Sequence, residues 1–266
     1  MTPPTTRPGL AIVTGASAGI GAALAKRLAR AGRPVLAVAR REDRLRALAD
    51  EAAAAGGATV HALALDVAAD GAADRIADAA RSRGGAAWLV NNAGFGAYGP
   101  FARQDRAVLA RLVRVNCEAL VAITHAVLPQ LRASGEGVLL NVASAAAFQP
   151  TPFMSVYGAS KAFVLSFTEG LSEELRGTGV FAGAYCPGPV ATEFGAVSGT
   201  DKRFRSPPAR LGADEAAAEA LAQIARRQVV HVPTLFYRVV TSTGSFFPRS
   251  VVRWFAARAQ APEDGR

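Results

Sequence analysis

Short apolar segments alternate with longer stretches of helical periodicity over the first 188 residues, and this alternation constrains the fold more than any other feature. The segments are LAIVTG (10–15), PVLAVA (34–39), TVHALALDV (59–67), AWLVNNAG (87–94), GVLLNVAS (137–144) and GVFAGAYCPG (179–188). The intervening stretches, such as IGAALAKRLARAG, place apolar residues three and four positions apart and end in glycine. This pattern is typical of βαβ units, so we predict an α/β fold with a doubly wound parallel sheet covered by helices on both faces.

The length and composition fit one main domain with a C-terminal extension. A chain of 266 residues that is half apolar can bury a single large core. We predict a flexible N-terminal arm over 1–7, a Rossmann-type domain over 8–232 in which VVHVP (229–233) adds the last strand, and an extension over 233–266. The two cysteines and three histidines lie too far apart in the sequence to suggest a disulfide framework or a metal site. The start is polar and proline-rich and does not resemble a signal peptide, so a cytoplasmic protein is expected.

The net charge of +9 raises the question of nucleic-acid binding, because basic proteins can bind phosphate backbones. The distribution of the charge argues against this function. Arginines recur singly and alternate with carboxylates, as in RREDRLRALADE (40–51), and no basic run is interleaved with aromatic residues. We interpret them as solvated helix faces and expect no nucleic-acid partner.

The C-terminal extension mixes aromatic residues with arginines in TLFYRVVTSTGSFFPRSVVRWFAARA (234–259). Gly244, Pro248 and three arginines interrupt it, so it lacks the roughly 20 apolar residues that a membrane span requires. Three roles remain open for an amphipathic segment of this kind: it could lie on a membrane surface, cover a substrate cleft, or pack against another subunit. Local packing is favoured over membrane contact.

A glycine-rich segment, TGASAGIG (14–21), follows the first predicted strand directly and leads into a helix. Glycines at such a turn let the backbone approach a pyrophosphate, whose charge is favoured at a helix N-terminus. An ordinary glycine-rich turn is the simpler alternative. We predict a dinucleotide site that includes Gly15, Ser17, Gly19, Ile20 and Gly21.

The end of the second strand indicates which dinucleotide is bound. An acidic residue at this place would bind the 2′-hydroxyl of the adenosine ribose, but the sequence has Arg40 and Arg41 there. Two guanidinium groups suit a 2′-phosphate, so we predict NADP(H) rather than NAD(H). Surface arginines that open a helix are the alternative.

Polar residues also follow the third and fourth strands. Asp66 and Val67 come after the third strand, and Asn92, Ala93 and Gly94 after the fourth. We predict that all five line the cofactor site. For Asp66 and Asn92, fixing a loop through backbone hydrogen bonds and contacting the adenosine are equally good explanations.

Tyr157 and Lys161 lie one helical turn apart in SVYGASKAF (155–163), and Ser144 closes the fifth strand. A phenol titrates near pH 10, and a nearby ammonium group and an oxidised nicotinamide ring both favour its ionised form. We therefore predict that Lys161 and the bound cofactor lower the pKa of Tyr157, making Tyr157 a proton carrier near neutral pH while Ser144 holds the substrate oxygen. A packed helix face with a serine at a strand end is the structural alternative.

In this order, the segments TGASAGIG, LDV, NNAG, NVAS, YGASK and CPGPVAT resemble the successive motifs of the short-chain dehydrogenase/reductase family over about residues 8 to 195. The resemblance implies that Tyr157 protonates a carbonyl oxygen, that Lys161 also binds the nicotinamide ribose, and that Ser144 orients the substrate. It further implies that Asn116 supports a helix bend and a proton relay. The residues implied to lie beside the nicotinamide are Pro187, Gly188, Val190 and Thr192.

The leading interpretation is an NADPH-dependent reductase of a hydrophobic ketone or aldehyde, acting in reverse as an alcohol dehydrogenase. A 3-oxoacyl-thioester reductase is the alternative within enzymes, and a non-catalytic dinucleotide sensor or scaffold is the alternative from another class. The residues predicted to line the substrate pocket with Ser144 are Phe95, Tyr98, Phe148, Phe153, Met154 and Phe194. A homodimer or homotetramer is expected, although the tail lacks the family's frequent glycine-containing strand ending, which leaves a monomer open.

Overall fold

A computed structural model describes residues 9–200, 209–243 and 247–261. The predicted N-terminal arm (1–7) and the break expected at Gly244 lie outside these ranges. The described residues contain one seven-stranded parallel sheet in the order β3-β2-β1-β4-β5-β6-β9, and a separate pair formed by β7 and β8. The strands are β1 (Leu10–Thr14), β2 (Val35–Ala39), β3 (Val60–Ala64), β4 (Ala86–Asn91), β5 (Val138–Val142), β6 (Phe181–Tyr185), β7 (Val190–Ala191), β8 (Leu211–Gly212) and β9 (Val230–His231).

Helices connect the strands and cover both faces of the sheet, as the doubly wound prediction requires. They are α1 (Gly19–Arg30), α2 (Glu42–Ala54), α3 (Ala72–Arg81), α4 (Arg106–Val113), α5 (Ala119–Ala133), α6 (Ser155–Glu174), α7 (Phe194–Ser198), α8 (Ala213–Ala225), α9 (Leu235–Thr243) and α10 (Arg249–Gln260). The strand order reverses between β1 and β4, so the crevice at the carboxyl ends of these strands is where such a fold binds ligands.

Successive residues of a strand point to opposite faces of the sheet and so pack in two different layers of the core. On one face, Ala11 and Val13 of β1 belong to the cluster that contains Leu24 of α1 and Leu45 of α2. On the other face, Ile12 packs in the cluster built from α3 and α5. Because both faces are covered, the strands are apolar along most of their length, apart from the partly exposed edge strand β3, which explains why they stand out in the sequence.

The predicted last strand is present but short. β9 pairs with β6 in parallel through only two residue pairs, after which α9 and α10 form the described part of the C-terminal extension. Within the described ranges, none of the helices combines the length and apolar character needed to cross a bilayer.

Candidate active site

The glycine-rich turn between β1 and α1 has no room for side chains. Gly15 and Gly19 adopt φ angles of 67° and 56°, in the left-handed region that favours glycine. A Cβ on Gly15 would come within 2.8 Å of Asn92 Nδ2, and one on Gly21 within 2.5 Å of both that atom and the Gly15 carbonyl oxygen. The turn therefore leaves its backbone open toward the crevice at the N-terminus of α1, which is the arrangement a pyrophosphate requires.

Asn92 and Thr14 hold this turn in place. The Asn92 amide group donates to the carbonyl oxygen of Thr14 at 2.9 Å, and Thr14 Oγ1 accepts from the backbone amides of Asn92 and Ala93, both at 3.0 Å. Asn92 thus makes the loop-fixing contacts that were one of its two predicted roles. Thr14 was not selected from the sequence, because a threonine at a strand end carries no distinctive signal.

The two arginines after β2 lie beside the glycine turn. Arg41 donates to Ser17 Oγ at 3.1 Å and pairs with Glu193 Oε2 at 2.8 Å, and Arg40 is exposed next to it. The Arg41 guanidinium holds the pKa of the Glu193 carboxyl below its usual value. Cationic groups and a serine hydroxyl therefore meet where the second strand ends, as the sequence predicted. The contact between Glu193 and Arg41 was not foreseen, because 152 positions separate them.

Asp66 also fixes a loop. Its carboxylate accepts from the Ala68 amide at 3.1 Å and pairs with Arg111. Burial alone would raise the pKa of Asp66, but these hydrogen bonds outweigh it and hold the pKa below its usual value. The neighbouring Val67 is buried in the core layer that includes Ile76. Whether Asp66 also contacts adenosine remains a prediction.

Asn116 lies in a π-helical turn, Arg114–Glu118, between α4 and α5. Its amide group donates to the Phe95 carbonyl at 3.1 Å and to Ser160 Oγ at 2.9 Å, while its oxygen accepts from the Phe95 amide at 3.1 Å. Ser160 in turn donates to the carbonyl oxygen of Tyr157 at 2.7 Å. Asn116 thus ties the loop after β4 to the helix that carries Tyr157, and π turns of this kind recur at functional sites.

Tyr157 and Lys161 face the same buried space from the first turns of α6. Lys161 Nζ lies 5.9 Å from the centre of the Tyr157 ring and donates to the Val142 carbonyl at 2.7 Å. Burial lowers the pKa of Lys161 to about 8, against opposing effects of Cys117 and Cys186. Burial raises the pKa of Tyr157 to about 12, and a hydrogen bond with Ser144 offsets this only in part.

The direction of this tyrosine shift corrects the part of the prediction that rested on Lys161. We expected the neighbouring ammonium group to lower the pKa of the phenol, but Lys161 donates to a backbone carbonyl of β5, and desolvation of the phenol is the larger effect. The side chain of Tyr157 therefore carries its proton at neutral pH.

Ser144 follows β5 and begins a short 3-10 turn, Ala145–Phe148. Its Oγ accepts from the Ala146 amide at 3.1 Å and lies within hydrogen-bonding reach of the Tyr157 hydroxyl. The Ala145 amide donates to the Pro187 carbonyl at 2.9 Å, so the turn is fixed to the CPGPVAT segment. Two hydroxyl groups thus converge on one point of the crevice, where they could hold a substrate oxygen.

Apolar side chains surround the Tyr157 hydroxyl. Its ring lies 5.4 Å from that of Phe194, and Met154, Phe95 and Tyr98 belong to the same cluster. Four of the predicted pocket residues therefore gather around Tyr157. Phe153 lies at the edge of this cluster, with its ring 6.4 Å from that of Tyr98. Phe148 packs elsewhere, in the cluster containing Val164 and Tyr237, because the 3-10 turn directs it toward α6 and α9.

The CPGPVAT segment lies against the glycine turn on one side and the C-terminal extension on the other. A Cβ on Gly19 would come within 2.9 Å of Thr192 Cγ2, which places Thr192 opposite the turn. A Cβ on Gly188 would fall 2.4 Å from the Tyr237 ring, so α9 packs directly on the Gly188 backbone. Val190 pairs with Leu211 in the small second sheet. Tyr237 could not be selected from the sequence, because no local pattern links it to Gly188.

The second helix of the extension reaches the substrate side of the crevice. The Tyr98 hydroxyl donates to the Gln260 carbonyl oxygen at 2.8 Å, which joins the loop after β4 to the last turn of α10. With Tyr237 on Gly188, this contact shows that the inner sides of α9 and α10 pack locally at the crevice.

The comparison with known proteins agrees with the fold. Residues 9–203 match the short chain dehydrogenase family. Together with the reductases and dehydrogenases described below, this match shows that the chain is a member of the short-chain dehydrogenase/reductase family, whose members act as oxidoreductases on carbonyl or alcohol groups.

Two relatives and one solved structure illustrate this membership. A short chain dehydrogenase of Pseudocercospora fijiensis is 40% identical over 189 residues, covering 70% of this chain and 61% of that protein, so less than two thirds of this relative is matched. Sulfoacetaldehyde reductase 2 of Chromohalobacter salexigens is 39% identical over 218 residues, covering 80% of each chain. The structure of a short-chain dehydrogenase from Sphingobium yanoikuyae in complex with NADPH superimposes with a TM-score of 0.81 at 34% identity, covering 97% of this chain and 100% of that chain.

Proposed function

We propose that this oxidoreductase uses NADPH to reduce hydrophobic ketones or aldehydes to alcohols, and catalyses the reverse oxidation when the alcohol is in excess. The observation that carries the proposal is that, among the described residues, the Tyr157 and Ser144 hydroxyls meet beside a cluster of largely apolar side chains. A pocket with apolar walls and few polar groups binds an apolar ligand and orients it through those groups.

The residues around the crevice fit a dinucleotide. Side chains at Gly15, Gly19 and Gly21 would collide with Asn92 and Thr192, which leaves backbone available for a pyrophosphate. Arg40 and Arg41 supply guanidinium groups for a 2′-phosphate beyond β2, where a NAD-binding site would have a carboxylate. The NADPH complex of the Sphingobium yanoikuyae relative supports the same choice. When bound, NADPH would supply the hydride.

The chain's own residues supply the proton and the orientation. Tyr157, with its pKa raised by burial, holds a proton on its hydroxyl at neutral pH and donates it to the carbonyl oxygen as the alcohol forms. Ser144 donates a hydrogen bond to the same oxygen and fixes the carbonyl against the phenol. Lys161 adds positive charge below its pKa of about 8, which stabilises the phenolate left behind.

Turnover of a panel of carbonyl compounds tests the substrate class. We expect loss of NADPH absorbance with bulky aryl ketones, with kcat/KM more than about tenfold above that for sulfoacetaldehyde, because burying apolar surface favours the former. A 3-oxoacyl thioester in the same panel tests the alternative enzyme. Preferential turnover of sulfoacetaldehyde or of the thioester would contradict the proposal.

Replacing Arg41 by Ala tests the cofactor preference. A charge-assisted contact to a phosphate contributes about 1.5–3 kcal/mol, so KM for NADPH should rise about tenfold or more while KM for NADH changes little. Glu193→Gln is the matched variant, and it should change KM for NADPH in the opposite direction. It frees Arg41 from its ion pair and should lower KM for NADPH by up to about fivefold. A wild-type preference for NADH that survives Arg41→Ala would rule out the assignment.

A further inference from the structure

Two helices of the C-terminal extension turn large apolar side chains away from the protein. Leu235 of α9 is 74% exposed, and Trp254 and Phe255 of α10 are 52% and 62% exposed. Monomeric proteins seldom expose contiguous apolar surface of this kind without a binding role. We call these residues the outer face; its members are Leu235, Phe236, Val239, Phe247, Val251, Trp254 and Phe255.

The spacing of α10 shows that this exposure is a property of one helix side. Val251, Trp254, Phe255 and Arg258 follow each other at intervals of three, one and three residues, so they share one side of the helix and are all exposed. Ala256 on the opposite side is buried. The helix therefore packs on the protein through a small residue and presents its aromatic side outward, the reverse of an ordinary surface helix.

The part of the C-terminal extension that carries the outer face has charges of one sign. Residues 233–262 contain four arginines and no Asp or Glu, and Glu263 and Asp264 follow outside the described residues. Arg258 shares the aromatic side of α10, where its guanidinium stacks 3.5 Å from the centre of a Trp254 ring, and Arg249 and Arg253 are exposed elsewhere on the same helix. An aromatic helix side that carries an arginine, on a helix with further exposed arginines, matches the chemistry of a helix that lies in the headgroup region of an acidic bilayer.

We propose that the outer face of α9 and α10 binds the surface of an anionic lipid bilayer. A second copy of the chain suits this face less well, because the described residues of α9 and α10 offer arginines but no carboxylate to pair with them across a symmetric contact. In a bilayer, Trp254, Phe255 and Leu235 would insert into the apolar region below the headgroups, and the arginines would pair with lipid phosphate groups.

This orientation would bring the crevice near the lipid. The inner side of α9 packs on Gly188, and α10 accepts the hydrogen bond from Tyr98. The same two helices therefore contact the crevice on one side and carry the outer face on the other. A hydrophobic carbonyl compound dissolved in the bilayer would then have a short path to Tyr157; this consequence rests on the proposed function, whereas binding to vesicles does not.

Flotation of the intact protein with vesicles tests the proposal without any turnover assay. We expect the protein to float with vesicles of phosphatidylcholine and phosphatidylglycerol and to bind vesicles of phosphatidylcholine alone at least tenfold more weakly. Added salt should weaken the binding, and Arg258→Gln should lower the affinity about fivefold.

Matched variants distinguish binding through the outer face from non-specific adsorption to lipid. The double variant Trp254→Ser, Phe255→Ser should lose binding by more than about tenfold. Phe101→Ser, at a phenylalanine that is 65% exposed outside the extension, should bind as the wild type does. Circular dichroism checks that each variant is folded.

Three results would overturn the proposal. They are failure to float with acidic vesicles, equal binding to both kinds of vesicle, and binding that survives the double variant. If vesicles are not bound and light scattering shows that the double variant loses a dimer, the outer face is a contact between copies. If vesicles are not bound but polyglutamate is, in a manner sensitive to Arg258→Gln, the face recognises an acidic polypeptide.

Discussion

Replacing Tyr157 by Phe is expected to lower kcat for carbonyl reduction about a thousandfold while NADPH still binds. The substitution removes only the hydroxyl that carries the transferable proton, and general acid catalysis contributes about 10²–10⁴-fold to rates. The ring contact with Phe194 stays, so the pocket should keep its shape. Steady-state kinetics with an aryl ketone gives kcat, and fluorescence titration gives the NADPH affinity.

Tyr185→Phe is the matched control for this experiment. Tyr185 lies fully buried in β6, and its hydroxyl has no hydrogen-bond partner among the described residues. Loss of that hydroxyl should leave kcat unchanged, because it is part of the core layer rather than the crevice. Turnover of Tyr157→Phe at the wild-type rate would refute the assignment of Tyr157 as the acid. If the wild type itself showed no turnover but bound NADPH, the interpretation as a non-catalytic dinucleotide-binding protein would be favoured.

Replacing Lys161 by Met is expected to abolish most activity and yet stabilise the fold. Activity should fall about a hundredfold or more, because the phenolate formed during reduction loses its nearby cation. The folded state lowers the pKa of Lys161 from 10.5 to about 8, so burying the ammonium costs on the order of 3 kcal/mol at neutral pH. Losing the hydrogen bond to Val142 offsets about 1 kcal/mol of this, which leaves a gain of about 2 kcal/mol in the free energy of unfolding.

The pH dependence of this gain follows from the direction of the shift. Below pH 8 the lysine is protonated in both states, and the folded state bears the full cost of the buried charge. Between about pH 8 and 10.5 the folded state releases its proton while the unfolded chain keeps it, so the wild type gains stability relative to the variant. Denaturant unfolding at pH 7 and pH 10 measures the difference, which should shrink at the higher pH.

Lys26→Met provides the comparison on the surface. Lys26 is partly exposed and pairs with Glu51, so its loss should change the free energy of unfolding by no more than about 1 kcal/mol. A Lys161→Met protein that is less stable than the wild type at pH 7 would contradict the argument. It would mean that the ammonium group is better solvated or better paired than its burial implies.

The parallel sheet and the positions of its main strands along the chain were accessible from the sequence because a covered parallel strand must be apolar on both faces. Runs such as PVLAVA are therefore visible without tertiary information, and β2 occupies Val35–Ala39 within it. The glycine turn was equally visible, because left-handed backbone at Gly15 and Gly19 calls for glycine. The Tyr157 and Lys161 pair was visible because four residues make one helical turn.

The electrostatic state of the site was not accessible in this way. From the sequence, Lys161 was expected to lower the pKa of Tyr157, whereas the structure directs the ammonium to the Val142 carbonyl and raises the phenol's pKa to about 12. Desolvation depends on everything packed around a group, and a motif records only its chain neighbours. The contacts of Tyr237 with Gly188 and of Glu193 with Arg41 could not be predicted from the sequence for the same reason, because each joins residues that are far apart along the chain.

The sequence by itself determined the parallel sheet, the family and the residue types at the crevice, because these depend on local periodicity and on short motifs. Tertiary structure decided which side of the C-terminal extension is buried and which is exposed. Both sides of α10 carry apolar residues, so amphipathic periodicity could not tell them apart. Only the packing of Ala256 inward, which turns Trp254 and Phe255 outward, separates the side that supports the crevice from the side that is open to a partner.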